Sequence, residues 1–165
     1  MSAPALPVHT PRLRLRRLGA GDLVAFQACR SDPGLARFQG WQAMDDAAAL
    51  AFLLDMAGCD FCARGHWFQL GIAQRDGDGL VGDIGIQLHA DGRTAQIGFT
   101  LARAAHGRGL ATEAVQAAVD LIWAHTAAQR VLAVTDTRNA ASVRLLHRVG
   151  LRPFSTLAVT FRGEA

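Results

Sequence analysis

The residues best placed by type and spacing to do chemistry form the run His106-Gly107-Arg108-Gly109-Leu110-Ala111. It follows a stretch that alternates like a strand and opens one with helical spacing. Glycines there let the backbone come close to a ligand. The first N–H groups of a helix have no partner inside it and carry the positive end of its dipole. A strand, a glycine turn and a helix start together make an anion site suited to a pyrophosphate. Arg108 would add charge to it or point to water. Gly-x-Gly is weak by itself, since a tight turn with no ligand has the same pattern. The run is neither a P-loop, lacking Gly-Lys-Ser/Thr, nor a dinucleotide fingerprint, lacking a third glycine in place. Cys59, Cys62 and His66 could offer three zinc ligands, but no second pair stands at suitable spacing. No metal is expected, and the three cysteines are expected to be reduced thiols.

The elements that would position this run can be read along the chain. Arg12 to Leu18 alternates Arg with Leu, a strand with one wet face. A helix is expected from Asp22 to about Arg30, stopped by Asp32-Pro33-Gly34. A second runs from about Asp45 to Met56. Strands follow at His66 to Gln74, Leu80 to Leu88 and Thr94 to Leu101, separated by turns at Asp76-Gly77-Asp78-Gly79 and Ala90-Asp91-Gly92. A long helix opens at Gly107 to Gly109 and reaches about Thr126, with Leu110, Ala114, Val115, Ala118 and Ile122 on one face. Arg130 to Thr135 is a short strand. Asn139 caps a helix from Ala140 to Val149, and Gly150 sits where a C-terminal glycine belongs. Thr156 to Arg162 reads as a last strand. Two helices before an antiparallel meander, then two helix–strand steps, give an α+β or mixed-sheet sandwich and not a doubly wound order.

The chain has 165 residues, half of them hydrophobic, and a net charge of +3. This is one domain over residues 1–165, with residues 1–10 a loose tail. Every basic residue is Arg, and the charges are spread without a dense basic tract, so nucleic-acid binding is not indicated. No apolar run is long enough to span a membrane, and the N-terminus lacks the pattern of a signal peptide. A cytoplasmic location is the expectation.

Three stretches in order carry a family resemblance. His106 to Ala114, HGRGLATEA, resembles the coenzyme A pyrophosphate loop of the GNAT acetyltransferases, with Gly109 and Ala111 in its two small positions. Ile97 to Arg103, IGFTLAR, looks like the strand that pairs with the pantetheine arm in that family. Asn139 to Arg152, NAASVRLLHRVGLR, is similar to the family's Asn-x-x-Ser helix. TPRLRLRRL, DPGLARFQGW and VGDIGI also resemble the RimJ/RimL-like branch, which acetylates protein N-termini and other amines. The resemblance covers about residues 10–162. His106 stands where Gln or Arg is usual, and Leu151 where Phe is usual. The chain ends where the family has one more strand beside residues 130–135, so the final strand appears as missing.

The resemblance implies a GNAT fold, α+β with a mixed, mostly antiparallel sheet flanked by helices. It implies transfer of an acetyl group from acetyl-CoA, as co-substrate, to a primary amine by direct attack. The acceptor would be a protein N-terminus, a polyamine or another small amine. The co-substrate would lie against Phe99, Thr100, Leu101, His106, Gly107, Arg108, Gly109, Leu110, Ala111, Thr112, Asn139 and Ser142. A backbone N–H near Phe99 to Leu101 would polarise the acetyl carbonyl if the strand bulges there. Many GNAT enzymes use a Tyr as general acid, and this chain has none. Ser142 matches the Ser that serves the RimJ/RimL-like branch; its alternative is a first-turn residue bonded to Asn139. Candidate general bases are Glu113, Asp83, His66, His89 and Asp136, with a water chain as the alternative to any of them. Phe38, Trp41 and Trp67 either line an acceptor pocket or pack as cover. A homodimer fits an unpaired sheet edge. The competing readings are a non-catalytic acyl-CoA-binding or interaction module and a nucleotide-binding regulatory domain.

Overall fold

Alternating apolar residues build three neighbouring strands, β3 (Trp67–Gln74), β4 (Leu80–Leu88) and β5 (Thr94–Leu101), in a computed structural model that describes residues 2–158. Antiparallel pairing puts Ile84 opposite Leu70 and Phe99, and Ile86 opposite Phe68 and Ile97, so one face of the meander is continuously apolar. β2 (Leu13–Arg17) extends the sheet beyond β3 and adds Leu13 and Leu15 to that face. β6 (Arg130–Ala133) joins the other side, parallel to β5. A parallel neighbour needs a crossover, which α4 (Leu110–His125) supplies. Its buried stripe, from Leu110 through Ala114, Val115 and Ala118 to Ile122, covers the apolar face together with Leu145 and Leu146 of α5 (Ala140–Arg148). The opposite face carries α1 (Leu23–Arg30) and α3 (Asp46–Gly58) over a smaller core of Leu18, Phe26, Ala49, Leu53 and Met56. The result is a mixed α+β sheet of six strands in sequential order, mostly antiparallel, with helices on both faces.

The helix ends follow the chemistry of their first and last residues. Asp45 accepts from the Ala48 N–H and Asn139 from the Ser142 N–H, which satisfies first-turn donors of α3 and α5. At the end of α5, Gly150 takes φ +90°, and the Gly150 and Leu151 N–H groups turn back to His147 and Leu146.

Four expectations change. Residues 1–10 are not wholly loose: β1 (Val8–His9) pairs antiparallel with β2, and Leu6 and Val8 pack against the main core. Asp32-Pro33-Gly34 ends α1 but also starts α2 (Pro33–Ala36), because Asp32 accepts from the Gly34 and Leu35 N–H groups. The arginines of β2 are not a simply solvated face. Arg16 holds the buried Asp22 through both terminal nitrogens, at 2.8 and 2.9 Å, so Asp22 anchors the entry to α1 rather than capping it. Of the expected last strand, Thr156 to Ala158 carry no regular structure, and the remainder lies outside the described residues.

Candidate active site

β5 and β6 run together only as far as Ile97 and Ala133. β5 continues to Leu101, so its last residues have β4 on one side and an opening on the other. Backbone groups alternate along a strand, and the bonds of β5 show which way each residue points. Thr94 and Ala102 bond back toward β4. The odd-numbered residues therefore face the opening. The Phe99 carbonyl accepts from Gln39 Nε2 at 2.9 Å, and the Leu101 carbonyl from His106 Nε2 at 2.6 Å. Since a carbonyl only accepts, the His106 ring carries its proton on Nε2. The β4–β5 register is unbroken, so the bulge considered near Phe99 to Leu101 is absent; the one register shift near this meander lies between Ile72 and Ala73 in β3. No bulge is needed, because alternation alone turns the Phe99 and Leu101 N–H groups into the opening.

The glycine turn stands at the same end. Gly107 and Gly109 both take φ +74°, a left-handed conformation that a side chain rarely adopts. Gly109 is the residue before α4, so the free N–H groups of Leu110, Ala111 and Thr112 are presented at the end of the opening. Two successive left-handed glycines around Arg108 shape a concavity of backbone N–H groups.

Glu113 fastens this turn. Its carboxylate accepts from the Thr10 hydroxyl, from the Arg12 N–H at 2.8 Å and from Arg12 Nε at 2.8 Å. Arg12 Nη1 also reaches the Arg108 carbonyl at 2.7 Å. The start of β2 thus braces the turn from behind. Burial pushes the Glu113 carboxyl up, but the bonds from Thr10 and Arg12 outweigh it and hold it below its ordinary value. A carboxyl that titrates lower when folded stabilises fully above its unfolded value and loses that contribution as pH falls through the folded one. The Glu113→Gln protein is therefore expected to melt below the parent at neutral pH, with the difference closing in acid. Equal melting temperatures at neutral pH would show that the carboxylate ties nothing.

Asp83 is likewise held by an arginine. It is 1% exposed and bound bidentately by Arg30, at 2.9 and 3.0 Å, with Gln69 Nε2 at 2.7 Å on the same carboxylate. Arg30 is itself buried between the rings of Phe26 and Trp41, 4.3 and 4.6 Å from their centres. Trp41 Nε1 donates to Thr100 Oγ1, directly across the sheet from Asp83. The buried pair is thus the floor under Trp41, on the face opposite α4. Beside it, Gly85 and Gly98 are paired, and a Cβ at Gly98 would meet open space.

Asp136 pairs with Arg138 at 2.7 Å, and the Arg138 side chain and N–H hold its carboxyl down at about 2. Such a carboxylate is a weak proton acceptor at neutral pH. His66 and His89 flank the far ends of β3 and β4, away from the glycine turn. Trp67 lies on the outer reach of β3, while Phe38 and Trp41 border the opening. Burial raises all three thiols, Cys62 to about 12, so they stay protonated. Among the described residues no group of three or more His, Cys, Asp or Glu is arranged to hold a metal.

Asn139 and Ser142 open α5, which follows β6 across the opening from β5. Asn139 bonds the Ser142 N–H at 3.3 Å, the helix-capping arrangement, and this leaves the Ser142 hydroxyl without a protein partner among the described residues.

Several contributors were not singled out by spacing. Gln39 covers the open edge of β5. Asp32 grips Arg103 through two bonds of 2.6 and 2.7 Å and so ties α2 to the loop after β5. Gly34 permits that clasp, since a Cβ there would stand 1.7 Å from Arg103 Nη2. The resemblance to DPGLARFQGW marked this segment but gave its residues no roles.

A β5–β6 pair that parts over a left-handed glycine turn and a helix start is a recurrent architecture, and the comparisons agree on which. The chain is 31% identical over 148 residues to the uncharacterized N-acetyltransferase YoaA of Bacillus subtilis, covering 88% of this chain and 82% of that one. Its fold matches a GNAT-family acetyltransferase from Bacillus anthracis with a TM-score of 0.82 at 19% identity, over 96% of this chain and 92% of the other. It also matches the microcin C7 self-immunity acetyltransferase MccE, solved with acetyl-CoA and AMP, with a TM-score of 0.77 at 14% identity over 94% and 88% of the two chains. The acetyltransferase (GNAT) domain is recognised over residues 12–152, and with the opened sheet, the glycine turn and the Asn139 cap all inside those bounds, the chain belongs to the GNAT acetyltransferases.

Proposed function

We propose that this acetyltransferase moves the acetyl group of acetyl-CoA onto a primary amine by direct attack, as a member of the RimJ/RimL-like branch. The observation that carries the reading is the opened edge of β5 ending at the glycine turn. The strand edge offers the N–H groups of Phe99 and Leu101 to a pantetheine arm, after the manner of an added strand, while their carbonyls are held by Gln39 and His106. The Leu110, Ala111 and Thr112 N–H groups and the helix dipole suit a pyrophosphate. YoaA is named an N-acetyltransferase and MccE was solved with acetyl-CoA, which supports both halves of the reading.

Bound acetyl-CoA supplies a thioester whose carbonyl carbon is the electrophile. The Phe99 or Leu101 N–H polarises the carbonyl oxygen from the β5 edge. The amine nitrogen forms the new C–N bond, the C–S bond breaks, and the departing sulfur takes a proton through the Ser142 hydroxyl. A hydroxyl does not ionise near neutral pH, so Ser142 acts as a donor and relay, refilled from solvent. Glu113, Asp83 and Asp136 are each committed to arginines, which favours loss of the amine proton through water rather than to one carboxylate.

The test is thiol release from acetyl-CoA across a panel of amines. The Ser142→Ala protein is expected to lose about 10²-fold or more in kcat, the scale of one positioned proton donor, with the acetyl-CoA KM nearly unchanged. An unaltered kcat would remove Ser142 from the chemistry. Tight acetyl-CoA binding without turnover on any amine would favour a non-catalytic acyl-CoA-binding module.

A further inference from the structure

The segment after α2 bears on which amine the site accepts. Phe38 precedes Gln39, whose amide reaches the open edge of β5. Arg37 lies over the Phe38 ring at 4.9 Å. Arg138, in the loop from β6 to α5 and next to Asn139, lies 5.7 Å from the same ring. One phenyl group therefore joins the two loops that border the opening, with a guanidinium from each against it.

The charges around the opening do not cancel. Arg30 is matched by Asp83, Arg103 by Asp32 and Arg138 by Asp136. Two arginines on its border are left over, and no glutamate lies in residues 30–42, 99–109 or 133–142. One is Arg108, on the turn that suits the phosphates of a co-substrate. The other is Arg37, exposed, which donates no hydrogen bond to a protein acceptor among the described residues. Asp136 lies within reach of the Arg37 charge, but it is already gripped by Arg138 through Nε and Nη2.

A polyamine would bring further positive charge to a rim that already carries an excess of it. An amine that also bears an oxyanion would find a guanidinium held in place against an aromatic ring, the group best suited to carboxylates and phosphates. Resting on the acetyltransferase reading above, we propose that the acceptor is a small amine carrying a carboxylate or phosphate, with Arg37 binding that oxyanion at the mouth of the site. Phe38 sets the position of Arg37, and Arg138 adds to the positive field beside the capping Asn139.

Acceptor pairs that differ only in the anion test this: O-phosphoethanolamine against ethanolamine, glycine against glycinamide, with spermidine as the polycation. The parent protein is expected to favour the anion-bearing member of at least one pair, and Arg37→Gln to reduce that preference by about ten-fold or more, the loss of one charge-assisted pair. Acetyl-CoA affinity should stay unchanged in the variant. Comparing parent with variant removes the differing basicities of the amines. Dominance of the phosphate pair or of the glycine pair distinguishes the two anions. The proposal is overturned if Arg37→Gln leaves the preference intact, if spermidine is the best acceptor, or if acetyl-CoA binds but no anion-bearing amine is acetylated. Failure of the parent protein to bind acetyl-CoA would instead overturn the underlying reading, and this proposal with it.

Discussion

Gly109→Val protein is expected to fold and to bind acetyl-CoA more than about 100-fold more weakly than the parent, the equivalent of losing two charge-assisted hydrogen bonds. The cause is conformational rather than steric. A Cβ at Gly109 would meet only Arg12 Nη2, at an ordinary 3.5 Å, but φ is +74° there. That conformation costs a residue with a side chain roughly 1–2 kcal/mol, and more for a β-branched one. The turn would relax toward negative φ and carry the Leu110 and Ala111 N–H groups away from the opening. Nothing in the core depends on Gly109, so circular dichroism should keep the folded signature and the melting temperature should fall only by the several degrees that roughly 1–2 kcal/mol of strain costs a domain of this size. Calorimetric titration with acetyl-CoA reads the effect; a folded variant with parental affinity would remove the turn from the site.

The largest loss of stability is expected at Asp83. Replacing it with Ala should cost about 3–5 kcal/mol, because Arg30 would remain charged and buried without its partner. Arg30→Met with Asp83→Leu should recover most of that loss, since an apolar pair of similar volume needs no compensation. Urea denaturation of the three proteins measures both. A single variant as stable as the parent would mean that water reaches Arg30. The double variant also bears on function. Trp41 rests on the Arg30 guanidinium and bonds Thr100, so removing that floor should raise the acceptor KM while acetyl-CoA affinity is kept.

Local order was largely legible in the sequence. The bounds of β4 and β5 follow from strict alternation between glycine-rich turns, and α4 and α5 from apolar spacing with a glycine or Asn at the start. The positions of the glycine turn, of the Asn139 cap and of the strand beside the opening were legible for the same reason. β1 was not, because two residues carry no period, and Val8 gains its place by pairing with Leu15. The roles of the carboxylates were not legible either. Asp83 meets an arginine 53 positions earlier and Glu113 one 101 positions earlier. Spacing along the chain marks a mid-strand acid as unusual, but only the packing of α1 over β4 shows that it is paired with Arg30. Gln39 and Arg37 went unassigned because they act from an irregular segment placed by the Asp32–Arg103 clasp.

The most direct test of the central claim is calorimetric titration of the purified protein with acetyl-CoA and, separately, with ATP. An opening edged by β5 and closed by the glycine turn should bind acetyl-CoA in the micromolar range and ATP far more weakly, since ATP has no pantetheine arm to pair with the strand. Equal affinity for the two, or no binding of acetyl-CoA by folded protein, would contradict it.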